Sequence, residues 1–211
     1  MTDSAAITDL RAYRNALRSR LIAAREALPA AEHARLSQAI ERHLADLVDA
    51  TSPRILAFCW PFRAEFDARS LIAARLPHGL RACLPVVMDS NSPLEFREWT
   101  PRSEMIEDRY GIHIPARGDT LQPDAILMPL NGFDEAGYRL GYGGGYFDRS
   151  LAGMNPRPLA IGVGFELARW TASGRSLTTC RWTPSSRKRG GLRWQEGGFT
   201  RIGRGGSCDG S

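Results

Sequence analysis

Between Arg139 and Arg149 the chain sets four glycines, three aromatics and a carboxylate between two guanidinium groups: Arg139-Leu140-Gly141-Tyr142-Gly143-Gly144-Gly145-Tyr146-Phe147-Asp148-Arg149. Glycines at 141, 143, 144 and 145 remove Cβ atoms, which frees the backbone to take positive φ and turn its N–H groups onto an anion. The apolar run Ala125-Ile126-Leu127-Met128 precedes this stretch, and Tyr146 to Leu151 is compatible with a helix. Strand, loop and helix N-terminus in that order make a phosphate site. No Gly-Lys-Ser/Thr ending of a P-loop is present, and the single lysine, Lys188, lies far downstream. Arginine must therefore supply the positive charge, from Arg139 and Arg149. Asp148 could hold Mg²⁺ through one carboxylate beside such a phosphate. The plainer alternative is a Gly-rich hairpin or helix cap, which calls for neither the arginines nor the carboxylate.

Other residues could join this loop. Arg14 and Arg18 stand one helical turn apart and could clamp a polyphosphate, although solvated surface arginines are the commoner case. In Trp60-Pro61-Phe62-Arg63-Ala64-Glu65-Phe66-Asp67, Trp60 and Phe62 could stack on a flat ring, and Glu65 could accept hydrogen bonds from ring N–H and amino groups. Alternatively Glu65 sits in a turn; Asp67 reads as a helix cap. Gly111 to Pro115 and Pro129 to Asp134 read as turns that shape a pocket. Cys59, Cys83, Cys180 and Cys208 lack Cys-x-x-Cys spacing and read as buried thiols. His33, His43, His78 and His113 read as solvated or loop residues.

These groups need elements to carry them. Leu10, Tyr13, Leu17, Leu21, Ala24 and Leu28 recur at helical spacing behind a Thr8 cap and stop at Pro29. Leu36, Ile40, Leu44 and Leu47 predict a second helix ending before Ser52-Pro53, so an αα-hairpin opens the chain. Arg54 to Trp60 reads as a buried strand, Asp67 to Leu76 as a helix, and Leu80 to Val87 as a strand. Leu94 to Trp99 reads as an edge strand and Ser103 to Asp108 as a short helix. Ala125 to Met128 and Leu159 to Phe165 complete the strands. The alternation predicts a single-domain α/β/α sandwich with a mostly parallel sheet over residues 1–168. Open sheets of this kind bind ligands at the carboxyl ends of their strands, where Trp60 to Asp67 falls.

At 211 residues with 43% apolar composition, one substantial core is expected. No run of roughly 18 apolar residues is present to span a bilayer. The N-terminus, with Asp3 and Asp9, lacks a signal-peptide pattern, so a cytoplasmic protein is expected. The net charge of +5 invites a nucleic-acid reading, but residues 169–211 hold nine basic and two acidic residues, leaving 19 basic and 21 acidic for the body. The body therefore has no basic footprint, and a basic-tailed RNA binder is disfavoured.

Taken together, Arg139 to Asp148, Glu65-Phe66-Asp67, Arg14 to Arg18, Gly111 to Pro115 and Met128 to Asp134 resemble the 5-formyltetrahydrofolate cyclo-ligase (5,10-methenyltetrahydrofolate synthetase) family in order and spacing, from about Arg14 to Glu166. That resemblance implies a fold like that of ribose-5-phosphate isomerase and glucosamine-6-phosphate deaminase. It also implies an enzyme using ATP and Mg²⁺ to convert 5-formyltetrahydrofolate to 5,10-methenyltetrahydrofolate. Carried over by position, ATP binding falls to Arg14, Asn15, Ala16, Leu17 and Arg18 and to Arg139, Leu140, Gly141, Tyr142, Gly143, Gly144, Gly145, Tyr146 and Phe147. The folate site falls to Arg18, Trp60, Glu65, Tyr142, Gly143, Gly144, Gly145 and Tyr146; Arg139 and Tyr146 take catalytic roles and Asp148 the Mg²⁺. No membrane or nucleic-acid partner is implied, and a monomer is favoured. A cyclo-ligase-like protein that binds nucleotide or folate without turnover is the alternative.

Two features depart from the family pattern. Arg14 stands where lysine is usual, which keeps the charge and loses the compact ammonium. After Gly164-Phe165-Glu166 the family's ending, a Pro-x-x-x-His-Asp segment and an apolar strand closing on Thr-Glu, is missing, and with it an Asp that would supply a second Mg²⁺ contact. Residues 169–211 form instead an irregular basic stretch with three of the five Trp and nine of the 21 Gly. We read it as a frameshift product. Codons for Arg169 to Arg189 can be chosen so that reading from the third base of the Arg169 codon gives LDSIRPEPHDLPMDAIVTEA, which resembles the family's ending. Third-base choice supplies the His-Asp pair, but Trp170-Thr171 and Trp182-Thr183 impose Asp, since TGG followed by AC reads GAC whatever comes next. Sequencing the gene around the Arg169 codon is expected to show this ending in the second frame; any other content there removes the reading.

Overall fold

Apolar residues at helical spacing produce two opening helices in the computed structural model, which describes residues 3–134, 138–170, 193–195 and 198–204. Helix α1 (Asp3–Glu26) and helix α2 (Ala30–Thr51) are joined by a three-residue turn. Thr8 does not cap α1 but lies inside it, because Ala5 and Ala6 are strong helix formers and carry the helix upstream. Pro29 does more than end α1: its extended backbone is the N-cap of α2. At the other end Ser52 takes a left-handed conformation and donates its N–H to the Val48 carbonyl, which stops the helix before Pro53.

The main sheet is built on β1 (Ile55–Ala57), β2 (Arg81–Val86), β6 (Ala125–Pro129) and β9 (Leu159–Gly164), all mutually parallel, in the order β9-β6-β1-β2. Strand β3 (Glu95–Trp99) pairs antiparallel with β2 and forms an edge, as its partial alternation predicts. Helix α3 (Arg69–Ala73) follows β1, and helix α4 (Tyr146–Gly153) precedes β9. Two small hairpins stand outside the sheet: β4 (Met105–Glu107) with β5 (His113–Pro115), and β7 (Gly132–Phe133) with β8 (Arg139–Leu140).

Local chemistry decides where these elements differ from the sequence reading. The helix expected over 67–76 is only α3 plus a 3₁₀ turn at Leu76–His78, because Pro77 enters that turn and Gly79 ends it at φ 94°. Asp67 does begin it: its carboxylate accepts the Arg69 N–H at 3.0 Å. The helix expected over 103–108 is strand β4. Asp108 Oδ1 accepts the N–H groups of Tyr110 and Ile112, and Gly111 takes φ 74°, which folds the chain back as a hairpin. Two further strands, β10 (Arg193–Gln195) and β11 (Gly198–Arg204), fall where the sequence shows no strand period. Strand β11 pairs antiparallel along β9 from Leu159 to Gly164. Backbone pairing needs no side-chain pattern, so an extended segment can cover the edge that β9 would otherwise present.

The two faces of the sheet bury different sets of side chains, giving three layers. On one face Leu36, Ile40, Leu44 and Val48 of α2 pack with Leu56, Leu84, Leu127 and Ile161. On the other, Leu151 of α4 packs with Ala57, Ile126, Met128 and Ala160. Leu17 and Leu21 of α1 meet Leu140 and Trp170 in a smaller cluster. Among the described residues no helix is long and apolar enough to cross a membrane. Leu44 is fully buried, so Leu44→Ala is expected to lower unfolding free energy by about 2–5 kcal/mol in urea denaturation. A loss below about 1 kcal/mol would show that α2 does not pack on the sheet as described.

Candidate functional site

The parallel order brings the carboxyl ends of β1, β6 and β9 to one edge, and the chain leaves each by a loop that carries polar groups. From β1 comes Cys59 to Asp67; from β6 comes Leu130 to Asp134, then hairpin β7–β8 and the glycine-rich loop. Helix α1 lies across these loops. Its Arg18 donates from Nε to the Gly141 carbonyl at 2.7 Å and from Nη1 to Asn15 at 2.7 Å, so the helix face carrying Arg14 and Arg18 does meet the loop. Burial, then the neighbouring Arg14, lowers the affinity of Arg18 for its proton.

The glycine-rich loop is tighter than a phosphate cradle drawn from sequence. Positive φ occurs at Gly143 (98°) and Gly145 (64°) but not at Gly141 or Gly144. A Cβ on Gly144 would lie 2.6 Å from the Tyr146 ring, so that glycine is required by close approach rather than by torsion. Arg149 does not project freely toward an anion. Its Nη1 donates to the Gly144 carbonyl at 2.8 Å and its Nη2 to the Ser90 carbonyl at 3.0 Å, and its guanidinium lies 4.9 Å from the Tyr146 ring centroid. Arg139 is paired with the Asp148 carboxylate, so the cation and the candidate metal ligand neutralise each other. Among the described residues no cluster of three His, Cys, Asp or Glu is present to cage a metal. A lone carboxylate at the first turn of α4 suits an ion shared with phosphate oxygens and water, which is how Mg²⁺ is usually held.

Several sequence-nominated residues prove to be packing residues. Leu17 and Leu140 are buried against each other's cluster and Phe147 packs beside Leu151, so these three can reach a ligand only through their backbones. Ala16 is exposed. Trp60 is not an open stacking surface: the His113 ring stacks on it at 5.3 Å, and the Arg69 guanidinium lies 4.2 Å from its centroid. His113 and His33 are partly exposed, and each also has a protein neighbour. His33 donates to the Ala64 carbonyl at 3.0 Å and meets Phe165 edge-on. Cys83 is buried as expected and Cys59 only partly, while Cys180 and Cys208 lie outside the described residues.

Glu65 is the chemical centre of the pocket. It is 7% exposed, and its Oε2 accepts the Phe62 N–H at 3.2 Å while its Oε1 accepts the Tyr142 hydroxyl at 2.8 Å. Burial is the largest influence on its acidity and pushes it up; Arg25, the Tyr142 hydroxyl and the Phe62 N–H pull it back without cancelling the rise. Tyr142 is made a weaker acid by burial and by the Glu65 charge, so it remains a donor to that carboxylate. The Tyr142–Glu65 bond joins the loop after β1 to the glycine-rich loop, two segments 77 residues apart.

Sequence reasoning missed four participants. Arg25 lies 3.7 Å from Glu65 and donates to Asn131 Oδ1 and to the Arg63 carbonyl, and Tyr110, at the turn of hairpin β4–β5, shares a 2.8 Å hydrogen bond with the Tyr146 hydroxyl. That contact is the largest of the influences that make Tyr146 a weaker acid. One signal was available: Arg25 lies four residues after Leu21, on the apolar stripe of α1, where a charge is out of place.

Comparisons with known proteins point the same way. The model of the 5-formyltetrahydrofolate cyclo-ligase family matches residues 11–167. A 5-formyltetrahydrofolate cyclo-ligase of Escherichia coli is 40% identical over 96 residues, covering 43% of this chain but only 53% of that protein, so the chain spans about half the length of this relative. One from Haemophilus influenzae is 26% identical over 160 residues, covering 72% of this chain and 86% of that protein. The solved structure of Aquifex aeolicus 5,10-methenyltetrahydrofolate synthetase superposes with a TM-score of 0.66 at 25% identity, over 80% of this chain and 86% of that one. With most of its length under a single family model, the chain belongs to the 5-formyltetrahydrofolate cyclo-ligase family.

Proposed function

We propose that this protein converts 5-formyltetrahydrofolate to 5,10-methenyltetrahydrofolate at the expense of ATP. The observation that carries the reading is Tyr142, whose hydroxyl binds the carboxylate suited to a ring's N–H groups while its backbone belongs to the loop suited to phosphate. One chain thus sets a heteroaromatic pocket and a nucleotide loop side by side. The names of the relatives support the reaction, and the fold assignment it carries is the ribose-5-phosphate isomerase and glucosamine-6-phosphate deaminase type of sandwich.

Each chemical step has a matching group. The formamide oxygen is a poor leaving group, so it attacks the γ-phosphorus of ATP and ADP departs. N10 of the folate then attacks the activated carbon and loses its proton, and phosphate leaves to form the methenyl bridge. No protein nucleophile is required; catalysis is positioning and charge stabilisation. Arg18 and Arg139 face the phosphates with the loop amides, and Tyr146, anchored by Tyr110 and Arg149, flanks the transfer. Asp148 would hold Mg²⁺ once the phosphates draw Arg139 from it, and the ion would supply neutralising charge between phosphate oxygens. Glu65 binds the folate ring, and Trp60 joins it only where His113, which stacks on its ring at 5.3 Å, gives way. A monomer is the assembly proposed with this reading, and the cytoplasm its place, since ATP and reduced folates are cytoplasmic metabolites.

We further propose that residues 1–168 are the catalytic domain and residues 169–211 a frameshifted ending. Trp170 is consistent with this: it is buried, and its indole N–H has no hydrogen-bond partner among the described residues. The altered ending also favours the second reading, a protein that binds without turnover. Incubation with ATP, Mg²⁺ and 5-formyltetrahydrofolate, followed by methenyl absorbance, is expected to give weak or no turnover for this chain and restored turnover with the repaired frame. Equal rates would refute the frameshift reading, and no product from either would refute the enzymatic one.

A further inference from the structure

Arg25 is 4% exposed, and each of its three guanidinium nitrogens donates a hydrogen bond. Nε donates to the Arg63 carbonyl at 2.9 Å, Nη1 to Asn131 Oδ1 at 3.0 Å and Nη2 to the Tyr142 hydroxyl at 3.1 Å, while Nη2 lies 3.7 Å from Glu65 Oε1. The group therefore ties α1 to the loops after β1 and β6 and to the glycine-rich loop at one point. Arg25 and Glu65 also line the same pocket, with Phe58, Cys59, Leu127 and Phe165. The proposed reaction makes no direct use of Arg25.

Glu65 and Tyr142 meet at one oxygen, Oε1, which accepts the Tyr142 hydroxyl. A carboxylate oxygen can accept more than one hydrogen bond, so a ring N–H can join the hydroxyl there if both groups are held in place. Arg25 is placed to hold them: its Nη2 donates to the Tyr142 oxygen at 3.1 Å, leaving the hydroxyl proton for Glu65, and stands 3.7 Å from Oε1, which keeps a cation beside the carboxylate. Asn131 accepts Arg25 Nη1 through Oδ1, and its buried amide Nδ2 has no partner among the described residues.

We propose that Arg25 is the positioning residue of the folate pocket, holding Glu65 ionised and Tyr142 in place while a ring N–H binds the same carboxylate. This inference rests on the folate reading of the pocket. Among the described residues the groups facing Glu65 are Arg25 from α1, Cys59 and the Phe62 N–H from the loop after β1, and Tyr142 from the glycine-rich loop, and of these only Arg25 is a cation. Without it nothing opposes burial except two neutral donors, so the carboxylate would take up a proton at higher pH.

The test compares the full chain with Arg25→Gln and Arg25→Lys. Binding of 5-formyltetrahydrofolate and of ATP is measured separately by calorimetry from pH 6 to 8, and the Glu65 carboxyl is titrated by ¹³C NMR without ligand. For Arg25→Gln the Glu65 midpoint is expected to rise by about 1 pH unit or more. Folate binding is expected to weaken about tenfold, more so as pH falls, with ATP affinity held within about threefold. Arg25→Lys keeps the charge and loses the fork, so it is expected to restore the Glu65 midpoint but not the folate affinity. Unchanged midpoints and affinities beside a lowered Tm would make Arg25 a structural tie and overturn the proposal. If the unsubstituted chain binds no folate, the folate reading fails, and with it the role of Arg25 in binding; the ligand-free titration still decides whether Arg25 sets the charge of Glu65.

Discussion

A guanidinium cannot be left unpaired in a protein interior, and α1 places one there. Burying Arg25 is tolerable only if each N–H finds an acceptor and the charge finds a partner, so its surroundings are constrained from several directions at once. The Arg63 carbonyl, the Asn131 amide oxygen, the Tyr142 hydroxyl and the Glu65 carboxylate must all converge on it. These acceptors come from three loops that share no hydrophobic stripe. A demand for satisfied polar groups, rather than apolar burial, fixes the loops relative to one another and to the helix.

The sheet makes that convergence possible. Because β9, β6, β1 and β2 run parallel, their carboxyl ends lie together and the loops leaving them crowd one edge. Short tethers then do the fine placement. Arg18 fixes the near side of the glycine-rich loop through Gly141, and Arg149 fixes the far side through Gly144 and Ser90. Arginines that the sequence offers as phosphate ligands thus spend part of their donor capacity on loop geometry. A guanidinium has five N–H donors, which lets one side chain brace the backbone and still face a phosphate.

What was legible in the sequence follows from which features are local. The αα-hairpin, the parallel strands and the edge strand β3 are written in apolar periodicity and turn residues, and they appear where the pattern puts them. The segment from Met105 to Glu107 was misread because helix and strand cannot be told apart over so few residues; the Asp108 and Gly111 turn chemistry decides it. In the site, the glycine-rich loop and Glu65 were visible as motifs. Their partners were not, since Arg25–Asn131 and Tyr110–Tyr146 are contacts across 106 and 36 residues. Trp60 and Arg149 were nominated for ligands by residue type and by their place beside the sheet edge and the loop, and the structure shows each engaged with protein neighbours, which chain position does not reveal.

The end of the chain tests how far backbone geometry alone can stand in for sequence. Strand β11 supplies β9 with antiparallel hydrogen bonds along its whole length, so the ladder is closed there. A ladder is satisfied by any extended segment, but a metal site is not: it needs a carboxylate at one position, and no pairing of backbones provides it. The same distinction appears at Trp170, which fills space among Leu17, Leu21 and Leu140 yet strands its indole N–H. Backbone pairing along β11 and volume at Trp170 are therefore met, while the indole N–H of Trp170 has no partner among the described residues. If the ending is out of frame, the loss to expect is in chemistry before stability, with Asp148 left to share Mg²⁺ with phosphate and water alone.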